Sequence, residues 1–183
     1  MPDTFAQGID VSRWQRTVDW GAVKAAGISY AFAKATQSTN ITDAYFAANW
    51  TGMQAAGILR GAYHYFLPNV DPARQMDYFV RAVPWAAGDL PLVLDVETDG
   101  GLDKPRLLRS LETALQELER LGGHKPILYT APNFWNTRVA YPTPPAWTSQ
   151  CRPFKTSRML CSRWGASSVI RVKKGPPRPT RRH

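Results

Sequence analysis

The chain has 183 residues, 44% of them apolar and 20% charged, the balance of an ordinary soluble domain or of one domain with a tail. No apolar run approaches the roughly 18 to 20 residues that span a bilayer, which excludes membrane insertion. The net charge of +9 is localised: Met1 to Thr143 holds 13 Lys and Arg against 14 Asp and Glu, whereas Pro144 to His183 holds 10 basic residues and no acid.

The start, Met1-Pro2-Asp3-Thr4, has neither the basic nor the apolar segment of a signal peptide, so classical secretion of the chain as written is not expected. Localisation is left undetermined. Both cysteines, Cys151 and Cys161, fall in the basic stretch and read as free thiols, because two cysteines do not make a disulfide framework. No Cys-Xaa-Xaa-Cys or His-rich spacing suggests a metal, and no cofactor is expected.

Up to residue 143 the sequence repeats a short apolar run, a polar turn and an amphipathic stretch. Ala6 to Val11 reads as a strand and Asp19 to Ala26 as a short helix ended by Gly27. Ser29 to Ala35 is small and apolar throughout, as in a strand buried on both faces. Asp43 to Ala56 reads as a helix with Asp43 as its N-cap and Gly57 just past its end.

Ile58 to Phe66 is a third strand, closed by Pro68, and Asp71 to Val83 a helix with Pro72 at its first position. Leu90 to Glu97 is a fourth strand. Asp103 to Leu121 is the clearest helix, with leucine at 107, 108, 111, 115, 118 and 121 and Gly122-Gly123 as its stop. Pro126 to Thr130 is a fifth strand. Strands alternating with helices, without a hairpin signal, predict an α/β fold with a parallel sheet. Right-handed crossovers curl such a sheet toward an open sheet or an irregular, TIM-like (β/α) barrel. A full barrel typically takes about 250 residues, so this one is expected to be incomplete at its C-terminal end.

Residues 144–183 carry six of the fifteen prolines and little helix or strand periodicity, and Gly175 to His183 reads as disordered. The expected organisation is a domain over 1–143 and a basic Pro/Arg-rich tail over 144–183.

In parallel α/β folds the chemistry gathers at the carboxyl ends of the strands. Those ends carry Asp10, Lys34 and Thr36, Tyr63 and Tyr65, Asp95 and Glu97, and Tyr129. Alternate residues of a strand share a face roughly 6.5 to 7 Å apart, which would put the carboxyls of Asp95 and Glu97 side by side. Neighbouring carboxylates do not both ionise freely, so one stays protonated near neutral pH. A held proton beside an anion suits glycosidic cleavage. The aromatics Trp14, Tyr63, Tyr65, Phe66, Tyr129 and Trp135 suit the apolar faces of sugar rings. A lone Asp-Xaa-Glu could equally cap a loop, and it is Asp10 with the tyrosine-rich strand that favours chemistry. His64, between Tyr63 and Tyr65, points to the opposite face and reads as a hydrogen-bonded packing residue. Lys34 reads as an ion-pair partner at the rim.

The segments Gly8-Ile9-Asp10-Val11-Ser12-Arg13-Trp14-Gln15, Ala33-Lys34-Ala35-Thr36-Gln37, Gly61-Ala62-Tyr63-His64-Tyr65-Phe66, Pro91-Leu92-Val93-Leu94-Asp95-Val96-Glu97 and Pro126-Ile127-Leu128-Tyr129-Thr130, with Asn49 and Ala56-Gly57, resemble glycoside hydrolase family 25. These are lysozymes that cleave peptidoglycan, and the resemblance covers roughly Gln7 to Asn136. It implies a flattened α/β barrel without a metal. It implies a muramidase acting on the β-1,4 bond from N-acetylmuramic acid to N-acetylglucosamine, with Glu97 as proton donor, Asp95 as its close partner and Asp10 completing the acidic cluster. Tyr63, Tyr65 and Tyr129 match positions that line the sugar groove, and Trp14 joins them as a substrate-binding residue.

The expected partner is bacterial cell-wall peptidoglycan, not nucleic acid or a membrane, and the chain is expected to act as a monomer. After Tyr141 the family's Trp-containing strands and late aspartate have no recognisable counterpart. The tail therefore reads as a foreign or out-of-frame C-terminus that would impair activity. The alternatives are a wall-glycan binder without turnover and a nucleic-acid binder acting through the basic tail.

Overall fold

The computed structural model describes residues 5–139 and the backbone of 169–173. Its elements are β1 (Phe5–Val11), a 3-10 turn (Arg13–Gln15), α1 (Trp20–Ala25), β2 (Ile28–Gln37), β3 (Ile41–Thr42), α2 (Phe46–Ala55), β4 (Leu59–Tyr65), α3 (Pro72–Ala82), β5 (Val93–Asp95), α4 (Lys104–Gly122), β6 (Ile127–Tyr129), α5 (Pro132–Phe134), a π turn (Trp135–Val139) and β7 (Val169–Lys173). The strands form one sheet in the order β6-β5-β4-β2-β1-β7, curled as half a barrel. The pairs β1–β2, β2–β4, β4–β5 and β5–β6 are all parallel, as expected from the strand–helix alternation.

Three local features differ from the sequence expectation. β3 folds back antiparallel on β2, with Thr36 opposite Thr42 and Gln37 opposite Ile41. The turn runs through Ser38 at φ 55°, so a serine holds the conformation that glycine or asparagine would have signalled. The strand expected over Leu90 to Glu97 contracts to Val93–Asp95. Pro91 has no N–H to give the ladder, and Glu97 lies beyond the strand end.

The third is β7, which pairs antiparallel with β1 from Phe5↔Lys173 to Ile9↔Val169, within the stretch that shows little strand periodicity. The unpaired edge of β1 is a template for such an addition. The remaining expectations about the tail, including its two cysteines, lie outside the described residues.

The two faces of the sheet have different jobs. Its outer face, with Ile9, Val11, Ala31, Ala33, Ala35, Ala62 and Leu94, packs against Phe46, Trp50, Met53, Met76, Phe79, Leu107, Leu111 and Leu118 of the helices. The alanines of β2 keep this layer thin enough for the large helix side chains. α4 buries its leucine stripe, is capped by Asp103 accepting from the Arg106 N–H, and ends at Gly123 with φ 70°. The inner, concave face carries Tyr30, Phe32 and Val93, flanked by Tyr63, Leu90, Ile127 and Tyr129. In register, Gly8 lies opposite Tyr30 and Gly61 opposite Phe32. A Cβ at Gly8 would come within 2.2 Å of the Tyr30 ring and one at Gly61 within 2.3 Å of Phe32. Both glycines leave room for aromatic rings to lie flat across their neighbours. The result is an aromatic floor that leads to the carboxyl ends of the strands.

Candidate active site

β1 delivers Asp10 to the rim and then turns sharply. Ser12 stops the strand by capping the 3-10 turn: its N–H donates to Gln15 Oε1 at 2.8 Å, and its hydroxyl accepts from the Trp14 N–H at 3.4 Å. Asp43 pins the same turn from across the sequence, Oδ2 accepting from the Arg13 N–H at 3.0 Å while Oδ1 accepts from the Tyr45 N–H at 3.0 Å. The expected helix cap at Asp43 is thus displaced, since α2 begins at Phe46 and the carboxylate ties two loops together. The turn leaves through Arg16 at φ 54°, a conformation costing a non-glycine residue roughly 1 to 3 kcal/mol. Trp14 stands 76% exposed, with the Arg13 guanidinium 4.9 Å from its ring centre.

Lys34 is the cation of the cluster. The β2–β4 register slips between Lys34 and Thr36. The Lys34 ammonium donates to Gln37 Oε1 at 2.7 Å and lies 4.7 Å from the centre of the Tyr65 ring. Burial lowers its pKa, and the nearby charges of Asp95, Asp43 and Glu97 work against that shift. Lys34 thus feels the charges of the rim acids, but the direct ion pair expected of it is not formed among the described residues: its ammonium is held by the Gln37 amide oxygen and the Tyr65 ring.

Asp95 is the last residue of β5, level with Tyr65 on one side and Tyr129 on the other. It is only 7% exposed, and its Oδ1 has no hydrogen-bond partner among the described residues. Burial, then the charge of Glu97, raises its pKa well above the usual carboxylate range; Lys34 opposes this and Asp10 adds to it. Glu97, two residues on, is open to solvent, yet partial desolvation of its carboxyl raises its pKa too, again opposed by Lys34. One carboxyl is buried and the other accessible, and the two are electrostatically coupled. Such a pair titrates as a unit and holds a proton to higher pH than an isolated acid.

The tyrosines border the carboxyls. Tyr63 hydrogen-bonds Ser12, and burial followed by the charges of Asp10, Asp95 and Asp43 raises its pKa. Burial, then Glu97 and Asp95, does the same for Tyr65. Both phenols stay protonated and able to donate hydrogen bonds. Tyr129 is half-buried on the inner face beside them. Asp10, Asp95, Glu97, Tyr63, Tyr65 and Tyr129 thus gather at one end of the sheet, and Trp14 is exposed on the turn that follows β1.

His64 faces the helices. It is fully buried, with Nδ1 2.7 Å from Thr36 Oγ1 and Nε2 3.2 Å from Gln75 Oε1. Gln75 donates its amide protons to the carbonyls of Leu67 and Val70, so its oxygen must accept from His64. His64 is neutral, with the proton on Nε2, and burial pushes its pKa down to about 4. It braces the wall behind the site.

Among the described residues no three His, Cys, Asp or Glu side chains converge as a metal site, and no helix is long and apolar enough to cross a membrane. Sequence reasoning did not single out Asp43 or Gln37 as part of the rim. An acid ahead of a helix reads as a cap, and the contact from Asp43 to Arg13 spans thirty residues.

A sequence profile for glycosyl hydrolases family 25 matches residues 9–152, which runs past the expected domain boundary at 143. Over 138 residues the chain is 41% identical to the uncharacterized protein YegX of Escherichia coli K12, covering 73% of this chain and 51% of that one. Over 141 residues it is 38% identical to lysozyme M1 of Streptomyces globisporus, covering 72% and 48%. The chain therefore spans about half the length of these relatives. The bacterial lysozyme of Streptomyces coelicolor superposes with a TM-score of 0.71 at 36% identity, over 74% of this chain and 67% of that structure.

Proposed function

The chain belongs to the glycosyl hydrolases family 25, and on that footing we propose that it is a peptidoglycan hydrolase, a muramidase cutting the β-1,4 bond from N-acetylmuramic acid to N-acetylglucosamine. The observation that carries this reading is the coupling of a buried Asp95 to a solvent-facing Glu97, above an aromatic floor on the concave face.

In this reading Glu97, the accessible member, gives its proton to the leaving glycosidic oxygen. Asp95, more buried, acts in this reading on the sugar at its reacting carbon, as an anion or through a hydrogen bond. Asp10 adds negative potential from β1, across β4 and β2 in the sheet, favouring the positive charge that develops as the bond breaks. Lys34 keeps the cluster from accumulating protons indiscriminately. Tyr63, Tyr65 and Tyr129 offer faces and hydroxyls to the sugar rings, and Trp14 extends that surface outward.

Residues 1–143 form the hydrolytic unit. The stretch 144–183 holds no Asp or Glu and supplies no side-chain acid to the reaction; its departure from the family pattern lowers turnover in this reading.

The test is release of reducing ends from purified bacterial walls by the full chain and by Glu97→Gln. Loss of the general acid should lower turnover about 10²- to 10⁴-fold while wall binding persists. Walls bound equally by both proteins and cut by neither would identify a glycan binder instead.

A further inference from the structure

We propose that Arg13 and Trp14 together form a recognition element for a carboxylate carried on the peptide of the wall glycan, so that the groove selects peptide-bearing over bare saccharide. The inference rests on the wall-glycan reading above and adds to it the chemical class of the group bound at the rim.

Three observations converge on the turn. First, a tryptophan is held 76% exposed, although burial of an indole is strongly favourable. Second, its position is enforced: Ser12 and Gln15 cap the turn reciprocally, Asp43 holds the Arg13 backbone, and Arg16 sits at φ 54° to let the chain leave. Local strain of this sort persists where the surrounding contacts over-determine it, commonly at ligand sites. Third, the guanidinium of Arg13 lies over the indole, and among the described residues no carboxylate pairs with it.

The surroundings make that last point informative. Asp10, Asp43, Asp95 and Glu97 all lie at this end of the sheet, and Arg13 is near enough for its charge to act on Lys34. The Asp43 carboxylate instead accepts from backbone N–H groups. Arg13 is left exposed, its guanidinium over the Trp14 ring. A guanidinium so placed matches a carboxylate bidentately, while the ring beneath it offers an apolar face to a sugar. An anionic wall fragment approaching four acids needs such a cation at the entrance to offset repulsion.

The test is binding, which is independent of turnover. A soluble disaccharide–tetrapeptide fragment of peptidoglycan is titrated into the full chain by intrinsic fluorescence, in its free-acid form and with its carboxyls converted to amides. Arg13→Gln should weaken the acid form about fivefold and the amide form less than twofold. Trp14→Ala, followed by calorimetry, should weaken both forms alike. An equal effect of Arg13→Gln on both forms, no effect on either, or failure of the parent to bind the acid form would overturn the proposal.

Phosphate polymers also occur on walls. If the Arg13→Gln deficit on intact walls vanished once phosphate was stripped and carboxyls were kept, the group recognised would be phosphate and the carboxylate assignment would fall. The hydrolase reading fails separately, through absence of released reducing ends with the binding pattern intact.

Discussion

The Asp43 carboxylate accepts the backbone N–H of Arg13 and that of Tyr45 at 3.0 Å each, joining the first rim turn to the start of α2. Asp43 is 5% exposed, so neither donor would readily find water in its place. Asp43→Ala should therefore cost about 1 to 3 kcal/mol, the penalty for removing a charged acceptor from two part-buried donors. Asp43→Asn keeps one acceptor and should cost about half as much. Urea unfolding of the three proteins measures this. Equal stability of parent and Asp43→Ala would mean that the turn is held by its Ser12–Gln15 cap alone.

The inner aromatic floor gives a second prediction. Gly8→Ala would place a methyl 2.2 Å from the Tyr30 ring, in a sheet where neither strand can shift freely. Overpacking of this kind costs about 1 to 3 kcal/mol. Gly27→Ala makes a useful contrast, because a Cβ there meets nothing within 4 Å and only the positive φ of 86° is penalised. Thermal unfolding should show Gly8→Ala changing the near-ultraviolet signal of the tyrosines as well as Tm, and Gly27→Ala changing Tm alone.

Much of this arrangement is legible in the sequence, for identifiable reasons. The leucine stripe of α4 and the alanine run of β2 are strong periodic signals, and the strand-end rule places Asp10, Tyr63, Tyr65, Asp95 and Tyr129 at one rim. The hairpin at Ser38 escapes because its turn residue is atypical. The asymmetry between Asp95 and Glu97 escapes as well. Period-two spacing treats them as equivalent, whereas the strand ends at Asp95 and leaves one buried and the other exposed. Contacts such as Asp43 to Arg13 depend on which loops the fold brings together, and no local pattern encodes them.

Lys34 leads to a pH prediction. Its charge lowers the pKa of both Glu97 and Asp95, in opposition to burial. Lys34→Met removes that charge, so both carboxyls should hold their protons to higher pH. If Glu97 must be protonated to act, activity falls as pH rises through its pKa, and this alkaline limb should move upward in Lys34→Met. Rates on soluble wall glycan across pH 4 to 9, roughly the range over which elevated carboxylates titrate, measure the shift. A limb that stays in place or moves down would show that Lys34 does not govern the acid.

Two buried groups bias stability with opposite signs, and variants can separate them. The pKa of His64 is lowered to about 4, so its contribution is intact above its unfolded value near 6.5 and is lost as pH falls toward 4, to the extent of about 3 kcal/mol. The pKa of Asp95 is raised, so the folded state gains from its proton at low pH and loses that gain as pH rises through the elevated value. Asp95→Asn removes the cost of burying an ionised carboxyl. It should therefore be more stable than the parent at pH 7, by about 2 to 5 °C in Tm, with the advantage shrinking toward pH 4. His64→Gln can still donate toward Gln75 and does not charge, so its stability should fall less steeply than the parent's between pH 6.5 and 4. Tm profiles of the three proteins from pH 7 to pH 4 decide both signs. An Asp95→Asn protein less stable than the parent at pH 7 would show that the carboxylate is stabilised by its surroundings and not strained by them.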